Sequence, residues 1–315
     1  MTQRAIVTID VEAPIGDDGV NNLIYGLIGE QEYGIKCIMD ILDEYSIKGL
    51  FFVDIAEAFE YGEEAISKVI TSILDRGHFC GVHLHPDRMN KKKKKFLWEY
   101  TYNEQLEMIS WCTDFYKRIT GRYPVSFRAG RYGANNDTLN ILKELGYKVD
   151  MSMYFGMKKR CKIAGDYKTI NGIKNNNGLL EYPVTVFESF HLFKYIRFDK
   201  IDESMPYCEF CTVVKKAIKQ NNVDVINFFV HSFSFLFWRK NPDKPLPNKR
   251  SIRRFRKMLS FLSNKGCLFL KEPDLVNNSP ISSTGILKNS HSISGFFFSV
   301  IRFFKIVCEK ATRNI

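Results

Sequence analysis

Four potential metal ligands stand in two closely spaced pairs, Asp10-Val11-Glu12 and His83-Leu84-His85. Each pair ends what reads as a buried β-strand. Arg4–Ile9 is short, apolar and rich in β-branched residues, and His78–Val82 runs straight into His83. Side chains alternate across a strand, so residues two apart share a face: Asp10 lies with Glu12, and His83 with His85. Two neutral imidazoles and a carboxylate, with a coordination position left for water, form the donor set of a catalytic rather than a structural metal site. A one-metal hydrolase is the chemistry these residues point to.

The elements that must position them follow from the hydrophobic pattern. Strands are expected at Arg4–Ile9, Lys48–Val53, His78–Val82, Val125–Arg128 and Tyr147–Met151, within Gly178–Glu188, and at Val223–Val230 and Cys267–Leu270. Helices are expected at Gln31–Tyr45, Glu63–Asp75, Asn103–Thr120 (stopped by Gly121), Asn136–Leu145 (closed by Gly146), Cys208–Gln220 and Lys249–Asn264. Tyr154–Gly178 reads as an elaborated loop or small hairpin. Strand and helix alternate, which predicts an α/β fold whose parallel sheet is either closed into a barrel or open and doubly wound. On this reading Arg128, Asp150, Ser152 and His231 join Asp10, Glu12, His83 and His85 at the C-terminal ends of strands, the edge where parallel α/β folds carry their active sites. The expected organisation is a catalytic unit over 1–275, a Ser- and Asn-rich linker over 276–291 and an amphipathic tail over 292–315.

Composition narrows the class. With 315 residues, 45% of them hydrophobic, the chain can bury a large core. The start reads as a strand rather than a secretory signal, and no apolar run reaches the roughly 18 residues that span a bilayer, so a cytoplasmic protein is expected. Eight scattered cysteines fit reduced, buried thiols, and the Cys208–Cys211 pair reads as packing. The net charge of +11 implies an anionic partner: a phosphate-bearing substrate, a membrane surface or, least of the three, nucleic acid. The run Lys91–Lys95 reads as a solvated loop, or as an attractor of acidic substrate. Phe296–Cys308, with an aromatic face and the cations Arg302 and Lys305, reads either as a helix packed on the fold or as an anchor on the inner face of a membrane.

The segments TIDVE, RGHFCGVHLHP, FRAGRYG, VDMS and FFVHSFSF, in that order over roughly residues 4–270, resemble the five motifs of the NodB-type polysaccharide deacetylases, carbohydrate esterase family 4, in a branch with a DVE first motif. The resemblance implies a distorted (β/α)7 barrel and metal-dependent removal of an acetyl group from an N-acetylated sugar. It maps the catalytic base onto Asp10 and the metal carboxylate onto Glu12. His83 aligns with the first metal imidazole of the second motif. The second imidazole falls on His85 or is replaced by Asp87, with His85 favoured because it shares a side with His83. Arg128 would hold the base, the Tyr132 backbone N–H would help form an oxyanion hole, Asp150 would be the fourth-motif carboxylate, and His231 the general acid. In the third motif Ala129-Gly130-Arg131 replaces the family's prolines, with one residue inserted. By donor type the implied metal is zinc, and cobalt, nickel or iron also suit two histidines and a carboxylate. The implied partner is an acetylated glycan or glycan precursor. The competing readings are hydrolysis of another non-peptide C–N bond and a catalytically degenerate, sugar-binding barrel.

Overall fold

The computed structural model describes residues 2–14, 16–89, 94–164, 170–192, 195–277, 287–288, 297–298 and 300. Its centre is a nine-stranded sheet. The parallel strands are β1 (Arg4–Val11), β2 (Leu50–Asp54), β3 (Phe79–Leu84), β4 (Ser126–Ala129), β5 (Val149–Asp150), β6 (Leu179–Glu181), β7 (Val225–His231) and β8 (Leu268–Phe269). They run in the order β7-β1-β2-β3-β4-β5-β6, and β8 pairs with the first two residues of β1. The short strand Lys174–Asn176 adds antiparallel to β6. Its turn, Asn177-Gly178, has φ of 53° and 96°, the two left-handed positions a tight hairpin demands.

Between β6 and β7 the ring is completed by irregular chain. The Thr185 hydroxyl donates to the Val225 carbonyl and accepts from the Asn227 N–H, and the Phe229 N–H donates to Ile201. The result is a curled, distorted (β/α)7-type barrel. Six helices pair with the strands in sequence: α1 (Ile35–Glu44), α2 (Glu63–Asp75), α3 (Tyr102–Thr120), α4 (Asn136–Glu144), α5 (Tyr207–Gln220) and α6 (Lys249–Asn264). Their ends obey local chemistry. Thr101 and Glu104 form a reciprocal cap on α3, and Gly121 closes that helix at φ 70°.

Strand parity divides the molecule into two layers. Val7, Ile9 and Val11 of β1, Phe51 and Val53 of β2, Val82 and Leu84 of β3, and Phe228 and Val230 of β7 share a large core with apolar residues of the helices. The alternate residues face the barrel interior, where Ile6, Leu50, Phe52, Val149, Met151 and Val225 form a smaller core. Above that core the same interior parity carries Thr8, Asp10 and Glu12, then Asp54, then His83 and His85, then Arg128, then Asn227, Phe229 and His231. The barrel is thus apolar at one end and chemical at the other.

Several expectations change. The helix read from Gln31 starts at Ile35, because Gln31–Glu32 pairs instead with Leu27–Ile28 across Gly29 and Glu30. The range Gly178–Glu188 contains the expected strand as Leu179–Glu181, and an antiparallel pair that was not expected, Val186–Leu192 with Tyr195–Lys200, follows it. Leu287–Lys288, in the stretch read as a linker, pairs with Phe187–Glu188 and buries Leu287. Apart from Phe297, Phe298 and Val300, the tail 292–315 lies outside the described residues. Among the described residues no helix is long and apolar enough to cross a membrane. The described cysteines, Cys208 and Cys211 included, are free thiols.

Candidate metal and active site

The two residue pairs meet. Glu12, His83 and His85 each offer a ligand atom, and these atoms lie within 4.8 Å of one another. The register explains it: β1 and β3 flank β2, and Asp54 of β2 lies opposite His83. Glu12 Oε2 is 2.6 Å from His85 Nε2 and 3.5 Å from His83 Nε2. His83 Nδ1–H donates to the Arg128 carbonyl at 2.7 Å, which fixes its tautomer and leaves Nε2 toward the carboxylate. Both Nε2 atoms are buried and turned toward the Glu12 carboxylate, without a well-aligned hydrogen bond to it. Two buried imidazole nitrogens converging on one ionised carboxylate make a donor set that suits a divalent cation.

Asp87 is placed elsewhere. Both its oxygens take the Arg131 guanidinium, at 2.8 and 3.0 Å, and it lies outside the ligand cluster. His85 reaches the cluster because Gly130 makes room for it: a Cβ on Gly130 would stand 2.7 Å from the His85 ring and from the Leu84 carbonyl oxygen. The glycine in the third motif, where the family's prolines are replaced, thereby admits the second-motif histidine.

Asp10 sits beside the cluster, its Oδ2 3.9 Å from His83 Nε2. Arg128 is fully buried, donates to Asp10 Oδ1 at 2.6 Å and to Thr8 Oγ1 at 3.0 Å, and lies 4.4 Å from the Phe52 ring centroid. Burial alone would raise the Asp10 pKa, but Arg128, His83 and His231 outweigh it and hold the carboxyl below its ordinary value. Glu12 lies well below the ordinary range: burial opposes, and the histidines around it prevail. His83 is pushed the other way, to about 9, since Asp10 and Glu12 overcome the cost of burial. His231 Nε2 is 3.7 Å from Glu12 Oε1, and burial, aided by Lys200, lowers this histidine to about 4. Its ring stacks on Phe233 and meets Phe229 edge-on. Tyr132 lines the cavity, and it and Arg131 are consecutive non-glycine residues at φ 60° and 53°. Such strain persists only where surrounding structure enforces it, and it gathers at functional sites.

Asp150 is not brought to this cavity. On β5 it is Val149, with Met151 just beyond, that packs in the inner core, so Asp150 has the opposite parity. It accepts from the Ser152 hydroxyl at 2.6 Å, and that oxygen in turn accepts from the Ala129 N–H, tying Asp150 to the backbone after Arg128. Its register partner Glu181 is equally buried, and burial with the Asp150 charge lifts Glu181 well above its ordinary value.

Among the cavity residues that carried no role in the sequence reading are Asp54, Glu57 and Lys200. Asp54 Oδ1 accepts from the His85 N–H at 3.2 Å, and Glu57 Oε1 accepts from the Ala13 N–H at 2.6 Å, so two acids from one turn after β2 brace the backbone at or beside two ligands. Burial raises the pKa of both, Glu57 the more. Asp54 ends a strand at the chemical edge, a signal the strand pattern contained. Glu57 and Lys200 had none. All three line a cavity of about 280 Å³, together with Asp10, Glu12, His83, His85, Tyr132 and His231.

Comparison with known proteins agrees with the fold. Residues 27–149 match the sequence model of the family described as polysaccharide deacetylase. A Mycobacterium smegmatis protein assigned as a polysaccharide deacetylase superposes with a TM-score of 0.52 at 16% identity, covering 88% of this chain and 89% of that one. A family 4 carbohydrate esterase from Streptomyces lividans, in complex with acetate, has a TM-score of 0.45 at 10% identity and covers 90% of this chain and 98% of its own. No curated protein matches the sequence. The family match thus covers residues 27–149, and the fold of the chain is the one seen in the Mycobacterium smegmatis structure.

Proposed function

We propose that the protein is a metal-dependent hydrolase that removes an N-acetyl group from a sugar of a glycan or glycan precursor. The observation that carries the reading is the convergence of the buried Nε2 atoms of His83 and His85 on Glu12, next to an Asp10 gripped by Arg128.

An amide carbonyl is a weak electrophile, so its hydrolysis near neutral pH needs an activated water, a stabilised oxyanion and a proton for the departing amine. A divalent cation held by Glu12, His83 and His85 would acidify water and polarise the acetyl carbonyl. Asp10, kept ionised by Arg128, is the acceptor for the water proton. The backbone N–H of Tyr132, held in its strained turn, is the donor assigned to the oxyanion. His231, lowered to about 4 and so neutral at pH 7, is assigned the delivery to the leaving nitrogen: the proton Asp10 takes from the water passes to it as negative charge builds on the acetyl oxygen, and from it to the amine.

The test is metal analysis of the purified protein alongside acetate release from acetylated oligosaccharides. About one transition-metal ion per chain is expected, lost in His83→Ala and in His85→Ala together with acetate release, and kept in Asp87→Ala. Full occupancy and rate in the histidine variants would sink the assignment.

A further inference from the structure

Four cations line the cavity, and they divide in two. Arg88 is committed to Glu57 at 3.5 Å and to Glu60, and Arg131 to both oxygens of Asp87. Lys200 and Arg160 line the same cavity, yet among the described residues neither has a carboxylate within ion-pair distance. Lys200 ends the strand Tyr195–Lys200 and is half-buried. Its ammonium lies 3.3 Å from the centroid of Phe229 and donates to the Tyr132 hydroxyl at 3.3 Å. Phe229 is the ring His231 meets edge-on, which puts Lys200 on the His231 side of the cavity. Burial lowers its pKa, and the acids Asp202, Asp10 and Glu203, beyond contact distance, oppose that without cancelling it. Arg160 enters from the turn that begins at Met157, anchored by its own backbone: its N–H donates to Met157 and its carbonyl accepts from the Trp98 indole.

A lysine withdrawn from bulk water onto an aromatic face loses hydration, and an aromatic ring and a phenol replace little of it. The missing partner is an anion, and the position selects one carried by the molecule in the cavity. We infer that Lys200 and Arg160 form a subsite for an oxyanion substituent, carboxylate or phosphate, on the acetylated sugar or on the residue linked to it. The inference rests on the deacetylase reading for the sugar and adds its charge. It also gives the excess of positive charge, +11 over the chain, a local use. Arg88 and Arg131 serve as internal contrasts, since each is already neutralised by an acid of the site.

Binding is measured by calorimetry on metal-loaded protein carrying Asp10→Asn, which prevents turnover. The neutral probe is a tetrasaccharide of N-acetylglucosamine. The carboxylate probe is a tetrasaccharide alternating N-acetylglucosamine with glucuronate, and the phosphate probe is UDP-N-acetylglucosamine. At least one anionic probe should bind about tenfold tighter than the neutral one, and which does so identifies the oxyanion. Lys200→Met and Arg160→Gln should each lower that preference about tenfold, the effect of losing one charge-assisted hydrogen bond, whereas Lys200→Arg should retain it. Equal affinity for neutral and anionic probes, no binding of either anionic probe, or variants that weaken all probes in proportion would each overturn the subsite. Acetate release by the protein without Asp10→Asn is scored separately. An intact anionic preference without acetate release removes the reaction and leaves the subsite, and acetate release without the preference does the reverse.

Discussion

At the scale of single residues, Asp10 and Glu12 show how environment separates two carboxylates of one strand end. Both are held below their ordinary values against the cost of burial, Asp10 through Arg128 and Glu12 through the imidazoles, and the roles proposed for them, proton transfer for the first and cation binding for the second, follow that difference. Asp10→Asn keeps the shape and removes the base. It should retain the metal while kcat falls on the order of 10²- to 10⁴-fold, the usual contribution of general base catalysis. Near wild-type turnover in a metal-replete variant would move the base role to another group. Gly130 is the matching case for packing. Gly130→Ala places a methyl group 2.7 Å from the His85 ring, an overpacking that typically costs about 1–3 kcal/mol. His85 should be displaced and metal occupancy lost while the fold persists, as read by metal analysis and circular dichroism. An alanine variant with full occupancy would show that the ring has room to shift.

At the scale of elements, the turn after β2 supports the ligands without touching the cluster itself. Asp54→Ala strips the acceptor from the His85 N–H, and loss of a support of this kind typically weakens metal binding by about 10- to 100-fold. Asp54→Asn, which keeps an acceptor oxygen, should recover most of the affinity in a competition titration with a chelator. Equal losses in both variants would assign Asp54 a role through its charge instead. Elements also explain how much could be read beforehand. β1, β3 and β7 are long enough for alternation to be visible, and their inward residues Asp10, His83 and His231 were legible from it. β5 has two residues, too few to display a parity, and Asp150 was accordingly given to the cavity when it belongs to the opposite side. Lys200 was hidden for a related reason. Its strand pairs as a hairpin with Val186–Leu192, and neither VFESFHL, which shifts register between Glu188 and Phe190, nor YIRFDK alternates cleanly enough to be read. The alternative between His85 and Asp87 turned on Arg131 and Gly130, residues more than forty positions away that only the folded register brings alongside.

At the scale of the whole molecule, the barrel keeps its chemical end and its apolar end apart, and among the acids at the apolar end is Glu272. It follows β8, is nearly buried, and accepts a 2.5 Å hydrogen bond from Ser126, the first residue of β4. Burial raises its pKa from 4.5 to about 7, with Ser126 and Arg122 opposing the shift. A carboxyl raised on folding binds its proton more tightly in the native state. Between pH 4.5 and 7 the native chain therefore holds more protons than the unfolded one, and stability falls as pH rises. The loss is absent below about pH 4.5 and complete above about pH 7, where a shift of this size corresponds to roughly 3 kcal/mol. Glu272→Gln removes the ionisation and keeps an oxygen for Ser126. Relative to the unsubstituted chain it should be close to neutral at pH 4.5 and raise Tm clearly at pH 8. The comparison is made as a difference between the two proteins at each pH, in the metal-loaded state, so that titration of the cavity cancels. A Tm difference of the same size at both pH values would show that Glu272 is ionised in the folded protein throughout.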